Sequence, residues 1–234
     1  MNDKEFLKLF ELDCKYYDIE QKEVKEISCL VSLKNKTILD IGAGIGRLSF
    51  PLSKIAKKVI ALDKDTRLKK LYKKNKPKNL IFIGDSLENY SKKTKIKFDI
   101  ILVVWAGFNN NFIKHLRKIS HKDTIIITIT GDRRSENHKL INQLFKKESK
   151  TSREIEPQEV VLIKKEKVAV NVTYPSAEDA LASIDADLKL WSDKALAGLN
   201  RIKILKSIAS HEENNKIKFK ETAVIKMYKF KSLK

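Results

Sequence analysis

The sequence predicts an α/β protein with a doubly wound, mostly parallel sheet of seven strands and helices on both faces. From residue 37 to about residue 147, short apolar runs alternate with longer amphipathic segments. This alternation indicates strand–helix–strand crossovers, which produce parallel sheets covered on both faces. The chain has 234 residues with only 7 Gly and 4 Pro. This composition favours one large domain over a disordered or low-complexity protein.

The first two thirds of the chain supply most of the predicted elements. Apolar residues recur at three- and four-residue spacing over 3–12 and 19–33, which predicts two N-terminal helices. Five apolar runs predict strands at 37–41, 59–62, 80–83, 98–104 and 124–130. The amphipathic segments predict helices at 47–57, 66–74, 86–92, 110–119 and 135–147.

The pattern changes after residue 150. Residues 159–166 and 168–174 are interpreted as two strands around a charged turn. A helix follows with Ser176 as its N-cap, and a second helical stretch covers about 192–210. The alternating run 216–230 predicts an antiparallel terminal strand. The late helices therefore form an insertion between the last strands.

The predicted domain organisation has two parts. Residues 1–34 are expected to form a helical segment that covers the ligand-binding site predicted below, and residues 35–234 to form the main domain. The helical insertion, at about 174–212, is expected to lie beside the same site.

Composition limits the possible locations and metal chemistry. No apolar stretch approaches the roughly 18 residues that span a bilayer, and the N-terminus does not resemble a signal peptide. We therefore expect a cytoplasmic protein without a membrane partner. Cys14 and Cys29 have no zinc-ligand spacing, and the four His are scattered singly. The sequence thus predicts no metal site, and it does not indicate an oligomeric state.

The most informative stretch is residues 37–50, TILDIGAGIGRLSF. A predicted buried strand ends near Asp40, and glycines follow at positions 42, 44 and 46 before a helix begins. Glycines allow the backbone to approach a ligand closely, and a helix N-terminus offers unpaired N–H groups. This pattern predicts a ligand-binding turn at the end of the first strand.

Acids also end or follow the next two strands. Asp63 ends the second strand, where its carboxylate can accept hydrogen bonds from both hydroxyls of a ribose. Asp85 and Ser86 follow the third strand, where a carboxylate can accept the amino proton of an adenine. Because the carboxyl ends of parallel strands meet at one edge, the three acids together predict a nucleoside site.

These motifs resemble those of class I S-adenosylmethionine-dependent methyltransferases, over about residues 35–131. The resemblance implies that Gly42 to Gly44 line the amino-acid end of the cofactor, that Asp40 helps to hold it, and that Lys64 or Leu87 flanks the adenine. S-adenosylmethionine is then the cofactor and S-adenosylhomocysteine the product. The implied cofactor-binding residues are Asp40, Gly42, Ala43, Gly44, Gly46, Asp63, Lys64, Asp85, Ser86 and Leu87.

Two other interpretations use the same residues. A dinucleotide-binding oxidoreductase requires Gly or Ala at position 47, for close helix packing, and Arg47 occupies that position. A non-catalytic scaffold that keeps only the pocket does not explain buried carboxylates at three strand ends, because burying a charge without a ligand is costly. Methyl transfer is therefore the favoured chemistry.

The acceptor side is less defined in the sequence. The fourth strand ends in VVWAGFNN, without the Asn/Asp-Pro-Pro-aromatic sequence that, by resemblance, marks transfer to amino groups. Trp105 and Phe108 offer aromatic walls there, and Tyr17 and Tyr174 are candidates for closing the site. Packing is the alternative role for each of them. No catalytic residue is identified, because in-line methyl transfer requires mainly positioning.

The charge pattern leads to a prediction about the acceptor. The net charge is +19, but the chain has 42 Lys and only 7 Arg, which favours a solvated surface over nucleic-acid recognition. Residues 174–200 carry five acids and two lysines, so they would repel a phosphate backbone. We therefore expect a small-molecule acceptor. The alternative is RNA or another nucleic acid, bound by the basic run from Lys64 to Lys78.

Overall fold

The computed structural model describes residues 2–74, 77–104, 108–131, 136, 157–191 and 198–231. Its strands are β1 (Thr37–Ile41), β2 (Lys58–Asp63), β3 (Leu80–Gly84), β4 (Phe98–Val104), β5 (Ser120–Gly131), β6 (Val160–Tyr174), β7 (Glu212–Glu213) and β8 (Lys216–Phe230). Its helices are α1 (Asp3–Lys15), α2 (Lys22–Leu30), α3 (Ser49–Ser53), α4 (Lys69–Lys74), α5 (Leu87–Lys93), α6 (Asn110–Lys118), α7 (Ala177–Trp191) and α8 (Gly198–Ala209).

The strands of the described residues form one sheet in the order β3-β2-β1-β4-β5-β8-β6. The pairs from β3 to β5 are all parallel. β7 pairs antiparallel with β8, across a two-residue turn in which Asn214 and Asn215 both have positive φ. The predicted mostly parallel α/β sheet is confirmed, with β7 as one short strand more than the seven expected.

One detail of the prediction is wrong. Residues 160–174 form one continuous strand instead of two strands around a turn. The charged residues 164–167 remain in the strand because β6 is the last strand in the order, and edge strands carry exposed charges without loss of pairing. The chain-terminal strand β8 lies between β5 and β6. Except for Glu136, the predicted helix at 135–147 lies outside the described residues.

The chain divides into two compact units. The first unit contains the described parts of residues 23–130, 152–168 and 224–234. Its core consists of aliphatic and aromatic side chains of the central strands and of α5 and α6, including Leu39, Ile60, Phe98, Ile101 and Leu116. Parallel strands buried on both faces are apolar along their whole length, which explains the continuous apolar runs in the sequence.

The second unit contains the described parts of residues 1–22, 131–151 and 169–223. Its core includes Tyr16, Val172, Ile184, Ile204 and Phe219. The predicted division into residues 1–34 and 35–234 stays a prediction. No helix among the described residues is long and apolar enough to cross a membrane.

Candidate cofactor site

The register of the central strands brings the predicted cofactor residues to one edge of the sheet. Ile41 at the end of β1 pairs with Leu62, and Asp63 at the end of β2 pairs with Gly84 at the end of β3. The glycine turn, Asp63 and the segment after β3 therefore start from neighbouring strand ends, where open α/β sheets bind their ligands.

Two glycines of the turn after β1 are required by geometry. Gly42 has a φ of +73°, and a Cβ at this position would lie 3.1 Å from the carbonyl oxygen of Val104. Gly46 has a φ of +86°, and its Cβ would lie 2.6 Å from the Phe50 ring. A side chain would be both strained and crowded at either position. Of the three glycines, Gly42 is exposed, whereas Gly44 and Gly46 are buried, so the turn offers its backbone to a ligand at Gly42.

Asp40 lies in β1 just before this turn and is almost completely buried. Ser49 Oγ donates a hydrogen bond to its Oδ2 atom at 2.5 Å. Burial raises the pKa of Asp40 to about 6, although the Ser49 hydrogen bond and the nearby Arg47 charge act in the opposite direction. Within the described residues, its Oδ1 atom has no hydrogen-bond partner. An unsatisfied buried carboxylate oxygen is costly, so it fits a cofactor that brings a donor.

Asp63 connects the glycine turn to the end of β2. The backbone N–H of Gly44 donates to its Oδ2 atom at 2.9 Å, and the backbone N–H of Asp65 donates to its Oδ1 atom at 2.9 Å. Each carboxylate oxygen can accept a further hydrogen bond. The predicted role of Asp63 as the ribose acceptor therefore fits the structure, and the same carboxylate holds the turn in place.

We expect Asp63→Ala to weaken S-adenosylmethionine binding by about 1–3 kcal/mol, or roughly 5- to 150-fold, because charged hydrogen bonds are lost. Isothermal titration calorimetry measures the change. Asp65→Ala is the matched control, since this neighbouring carboxylate binds Arg67 and should leave the dissociation constant within about twofold. Unchanged affinity in Asp63→Ala would show that the ribose site is misassigned.

The segment after β3 is organised by Asp85 and Ser86. Ser86 caps α5 by accepting a hydrogen bond from the Asn89 backbone at 3.2 Å. Asp85 accepts hydrogen bonds from Lys93 at 3.1 Å and from the Asn89 side chain at 3.1 Å, and these lower its pKa. Leu87 is buried in the core of the first unit. Of the two side chains predicted to flank the adenine, only Lys64 is exposed.

An ion pair that sequence reasoning missed lies beside the turn. Arg47 Nη1 is 2.5 Å from Oε2 of Glu23 on α2, and the Glu23 side chain is 0% exposed. Arg47 also lowers the pKa of Asp40 through its charge. The N-terminal part of the first unit is thus joined electrostatically to the cofactor turn.

The acceptor-side candidates in the first unit are Trp105 and Phe108. The Phe108 ring packs against the Tyr228 ring with 5.1 Å between centroids. Trp105 lies outside the described residues. Packing is therefore observed for Phe108, and an acceptor role for either residue stays a prediction.

The remaining candidates, Tyr17 and Tyr174, belong to the second unit. The Tyr174 ring is 2% exposed and packs edge-on against Tyr16 at 5.0 Å and Phe219 at 6.1 Å. Tyr17 forms an isolated antiparallel bridge with Val172. Both residues thus contribute to the structure of this unit, and their role in closing the site stays a prediction. No group of His, Cys, Asp or Glu in the described ranges could hold a metal ion.

Comparison with known proteins identifies the family. The sequence profile of ribosomal RNA adenine dimethylase matches residues 15–172, more than half of the chain. The chain belongs to the ribosomal RNA adenine dimethylase family. It is a class I S-adenosylmethionine-dependent methyltransferase by family and fold, with S-adenosylmethionine as its cofactor.

One curated relative of this dimethylase-family chain agrees with the assignment, and a solved structure shares its fold. The "Probable ribosomal RNA small subunit methyltransferase A" of Methanosphaera stadtmanae is 68% identical over 31 residues, which are 13% of this chain and 11% of that protein. This match therefore spans only about a tenth of the relative. A methyltransferase from Thiobacillus denitrificans in complex with S-adenosylhomocysteine has a TM-score of 0.57 at 11% identity, over 96% of this chain and 98% of its own.

A further structural neighbour is coclaurine N-methyltransferase bound to N-methylheliamine and S-adenosylhomocysteine. Its TM-score is 0.52 at 12% identity, over 91% of this chain and 70% of the neighbour. At these identities the two structural matches show the fold alone.

The family contradicts the predicted small-molecule acceptor, because its name specifies ribosomal RNA. The prediction was based on the acids of residues 174–200, and in the structure some of these acids hold contacts within the second unit. Asp179 accepts hydrogen bonds from Tyr16 and Ser176, and Asp185 pairs with Lys189 at 2.6 Å. At least two of the five carboxylates thus have local structural partners.

Proposed function

We propose that the protein transfers methyl groups from S-adenosylmethionine to adenine in ribosomal RNA. The family match over residues 15–172 carries this proposal. The net charge of +19 is consistent with it, since a strongly basic protein attracts a polyanion. The edge formed by the ends of β1, β2 and β3 is the proposed cofactor site.

The chain's own residues would hold the cofactor in defined ways. Asp63 would accept the ribose hydroxyls, and the backbone of Gly42 and Gly44 would line the amino-acid end. Asp40 would satisfy its unpartnered Oδ1 atom with a donor from the cofactor. Bound there, S-adenosylmethionine supplies a methyl group on a positively charged sulfur. Holding donor and acceptor together is worth effective molarities of about 10⁵–10⁸ M, so positioning by these residues supports catalysis.

The segment after β4 departs from the pattern associated with amino-group transfer. It contains no Asn/Asp-Pro-Pro-aromatic sequence. Two asparagines that follow have structural roles: Asn109 caps α6 by accepting a hydrogen bond from the Phe112 backbone at 3.0 Å, and Asn110 Oδ1 accepts one from the Gln158 backbone at 3.1 Å. The choice of adenine as the acceptor therefore rests on the family match.

The test is a methylation assay with radiolabelled S-adenosylmethionine and ribosomal RNA from cells that lack this protein. We expect label in the RNA, and mass spectrometry of the nucleoside digest should identify methylated adenosine. Asp63→Ala should reduce the incorporation at limiting cofactor. Label in another nucleoside would overturn the choice of adenine, and absence of label from ribosomal RNA would overturn the proposed function.

A further inference from the structure

A strongly basic surface begins next to the proposed ribose acid. Residues 64–78 contain eight basic residues and a single acid, Asp65. We call the exposed lysines of this segment the basic strip; it consists of Lys64, Lys69, Lys70, Lys73 and Lys78. The basic strip therefore carries a high local positive charge and begins directly after the end of β2.

Helix α4 carries three of these lysines, Lys69, Lys70 and Lys73. A short 3₁₀ turn, Thr66–Leu68, leads into the helix, and Leu68 and Tyr72 are buried. The Tyr72 hydroxyl donates to the carbonyl oxygen of Ala43 in the glycine turn at 3.3 Å. Its ring stacks on Phe50 and packs at a tilt against Phe82. One face of α4 thus supports the cofactor turn and the other carries the lysines.

Some helical lysines elsewhere in the protein are paired with nearby acids. On α5, Lys92 pairs with Glu88 at 2.7 Å and Lys93 pairs with Asp85 at 3.1 Å. On α7, Lys189 pairs with Asp185 at 2.6 Å. The high lysine content of the chain therefore does not prevent helical lysines from forming ion pairs.

The basic strip forms no such ion pairs. Asp65, the only acid of the segment, pairs with Arg67, and the charge of Lys64 also helps to lower its pKa. Among the described residues, no carboxylate lies within 4 Å of the ammonium group of any lysine of the strip. Lys69 and Lys73 are also four residues apart on α4, and like charges at this spacing destabilise a helix. An external polyanion would remove this repulsion.

We propose that the basic strip binds the phosphate backbone of the RNA substrate, an inference that rests on the proposed function. Lysine ammonium groups act as point charges toward phosphate. The described residues of the strip include no exposed aromatic ring for base stacking, because Tyr72 is buried. The strip therefore contributes affinity and salt dependence without selecting the methylated nucleotide.

The test is the variant Lys69→Gln/Lys70→Gln/Lys73→Gln/Lys78→Gln. We expect RNA to bind about 10- to 100-fold more weakly at 0.15 M salt, and the slope of log K against log salt to fall by about 3 for single-stranded RNA. The KM for RNA should rise by a similar factor, whereas kcat and the methylated nucleoside should not change. Calorimetry with S-adenosylmethionine and thermal melting verify that the fold is retained.

The matched control is Lys25→Gln/Lys114→Gln/Lys118→Gln/Lys122→Gln. These four lysines are also exposed and lie on α2, α6 and β5, so the control has the same net charge as the test variant. We expect a change in salt slope of less than about 1. Equal effects of the two variants on RNA binding would show that only total charge matters and would overturn the proposed role of the basic strip.

The outcomes separate the two proposals. Wild-type protein that neither binds nor methylates RNA overturns the proposed function. If the wild-type protein methylates RNA but the strip variant has an unchanged KM and salt slope, only the proposed RNA-binding role of the basic strip is overturned. Vesicles containing anionic lipid provide a second polyanion. If the wild-type protein binds these vesicles, and the strip variant loses vesicle binding but keeps RNA binding, the basic strip is assigned to a membrane surface.

Discussion

Arg47→Ala is expected to lower the free energy of unfolding by about 3–5 kcal/mol, the range for breaking a buried ion pair. Arg47 Nη1 lies 2.5 Å from Glu23, whose side chain is 0% exposed. The substitution removes the guanidinium but leaves the buried carboxylate, which then lacks its nearest positive charge. Urea denaturation at neutral pH measures the loss.

The same variant should also change the cofactor turn. Arg47 lowers the pKa of Asp40, so its removal allows burial to raise that pKa further. A greater protonated fraction of Asp40 at neutral pH would weaken its interaction with a positively charged donor. We therefore expect weaker S-adenosylmethionine binding in calorimetry, in addition to the lower stability.

Arg117→Ala is the matched control for this prediction. Arg117 pairs with Glu159 at 2.9 Å, but both side chains are about one third exposed. Its guanidinium also lies over the Phe230 ring, so we expect a loss of about 1 kcal/mol. Adding Glu23→Gln to Arg47→Ala should restore part of the stability, because the buried charge is removed. Equal losses in the two arginine variants would refute a special role for the Glu23 pair.

The central fold could be predicted because its physical signal is local. Residues 37–41 and 98–104 are buried on both faces of the sheet, so their apolar runs mark β1 and β4 with the observed bounds. The turn after β1 was also predictable, since glycines at alternate positions are typical of a backbone that needs positive φ. Gly42 and Gly46 both have positive φ in the structure.

Features that depend on partners distant in sequence were not predictable. Glu23 and Arg47 are 24 residues apart, and nothing in either local pattern indicates that they meet. Likewise, the sequence pattern predicts two strands over 160–174, because charged residues interrupt the apolar alternation of this single strand. Only its position at the edge of the sheet explains why those charges are tolerated.

The error about the acceptor has a related cause. Counting formal charges treats every acid of residues 174–200 as available to repel phosphate. In the structure, Asp185 pairs with Lys189, and hydrogen bonds from Tyr16 and Ser176 lower the pKa of Asp179, which therefore stays ionised. These two acids remain charged, but contacts within the second unit account for their presence. Conversely, Lys69, Lys70, Lys73 and Lys78 form no ion pair with the described acids. Net charge by segment is therefore a poor guide to partners unless local pairing is known.

Asp40→Asn is expected to stabilise the protein without cofactor by about 1–3 kcal/mol at pH 7.5. The pKa of Asp40 is about 6 in the folded protein, raised from 3.8 mainly by burial. A raised pKa means that ionisation destabilises the folded state: the penalty is absent below about pH 4, grows as the pH rises toward 6, and is complete above it. Asparagine does not ionise, so the variant avoids the penalty.

The same substitution should weaken S-adenosylmethionine binding by about 10- to 150-fold, the range for losing a charged hydrogen bond. Opposite effects on stability and binding would show that the buried charge of Asp40 is kept for the cofactor. Urea denaturation between pH 4 and pH 8, together with calorimetry at pH 7.5, measures both quantities.

Asp99→Asn is the matched control, for which we expect a stability change of the opposite sign. Burial acts to raise the pKa of Asp99, but the hydrogen bond from the Thr37 backbone and the charge of Lys36 outweigh it and lower the pKa. Ionised Asp99 therefore stabilises the folded state above about pH 4, and Asp99→Asn should lose stability at neutral pH and recover it as the pH falls. If Asp40→Asn instead showed the same sign and pH dependence as Asp99→Asn, the buried carboxylate would not be under strain, and its assignment to the cofactor would lose its physical basis.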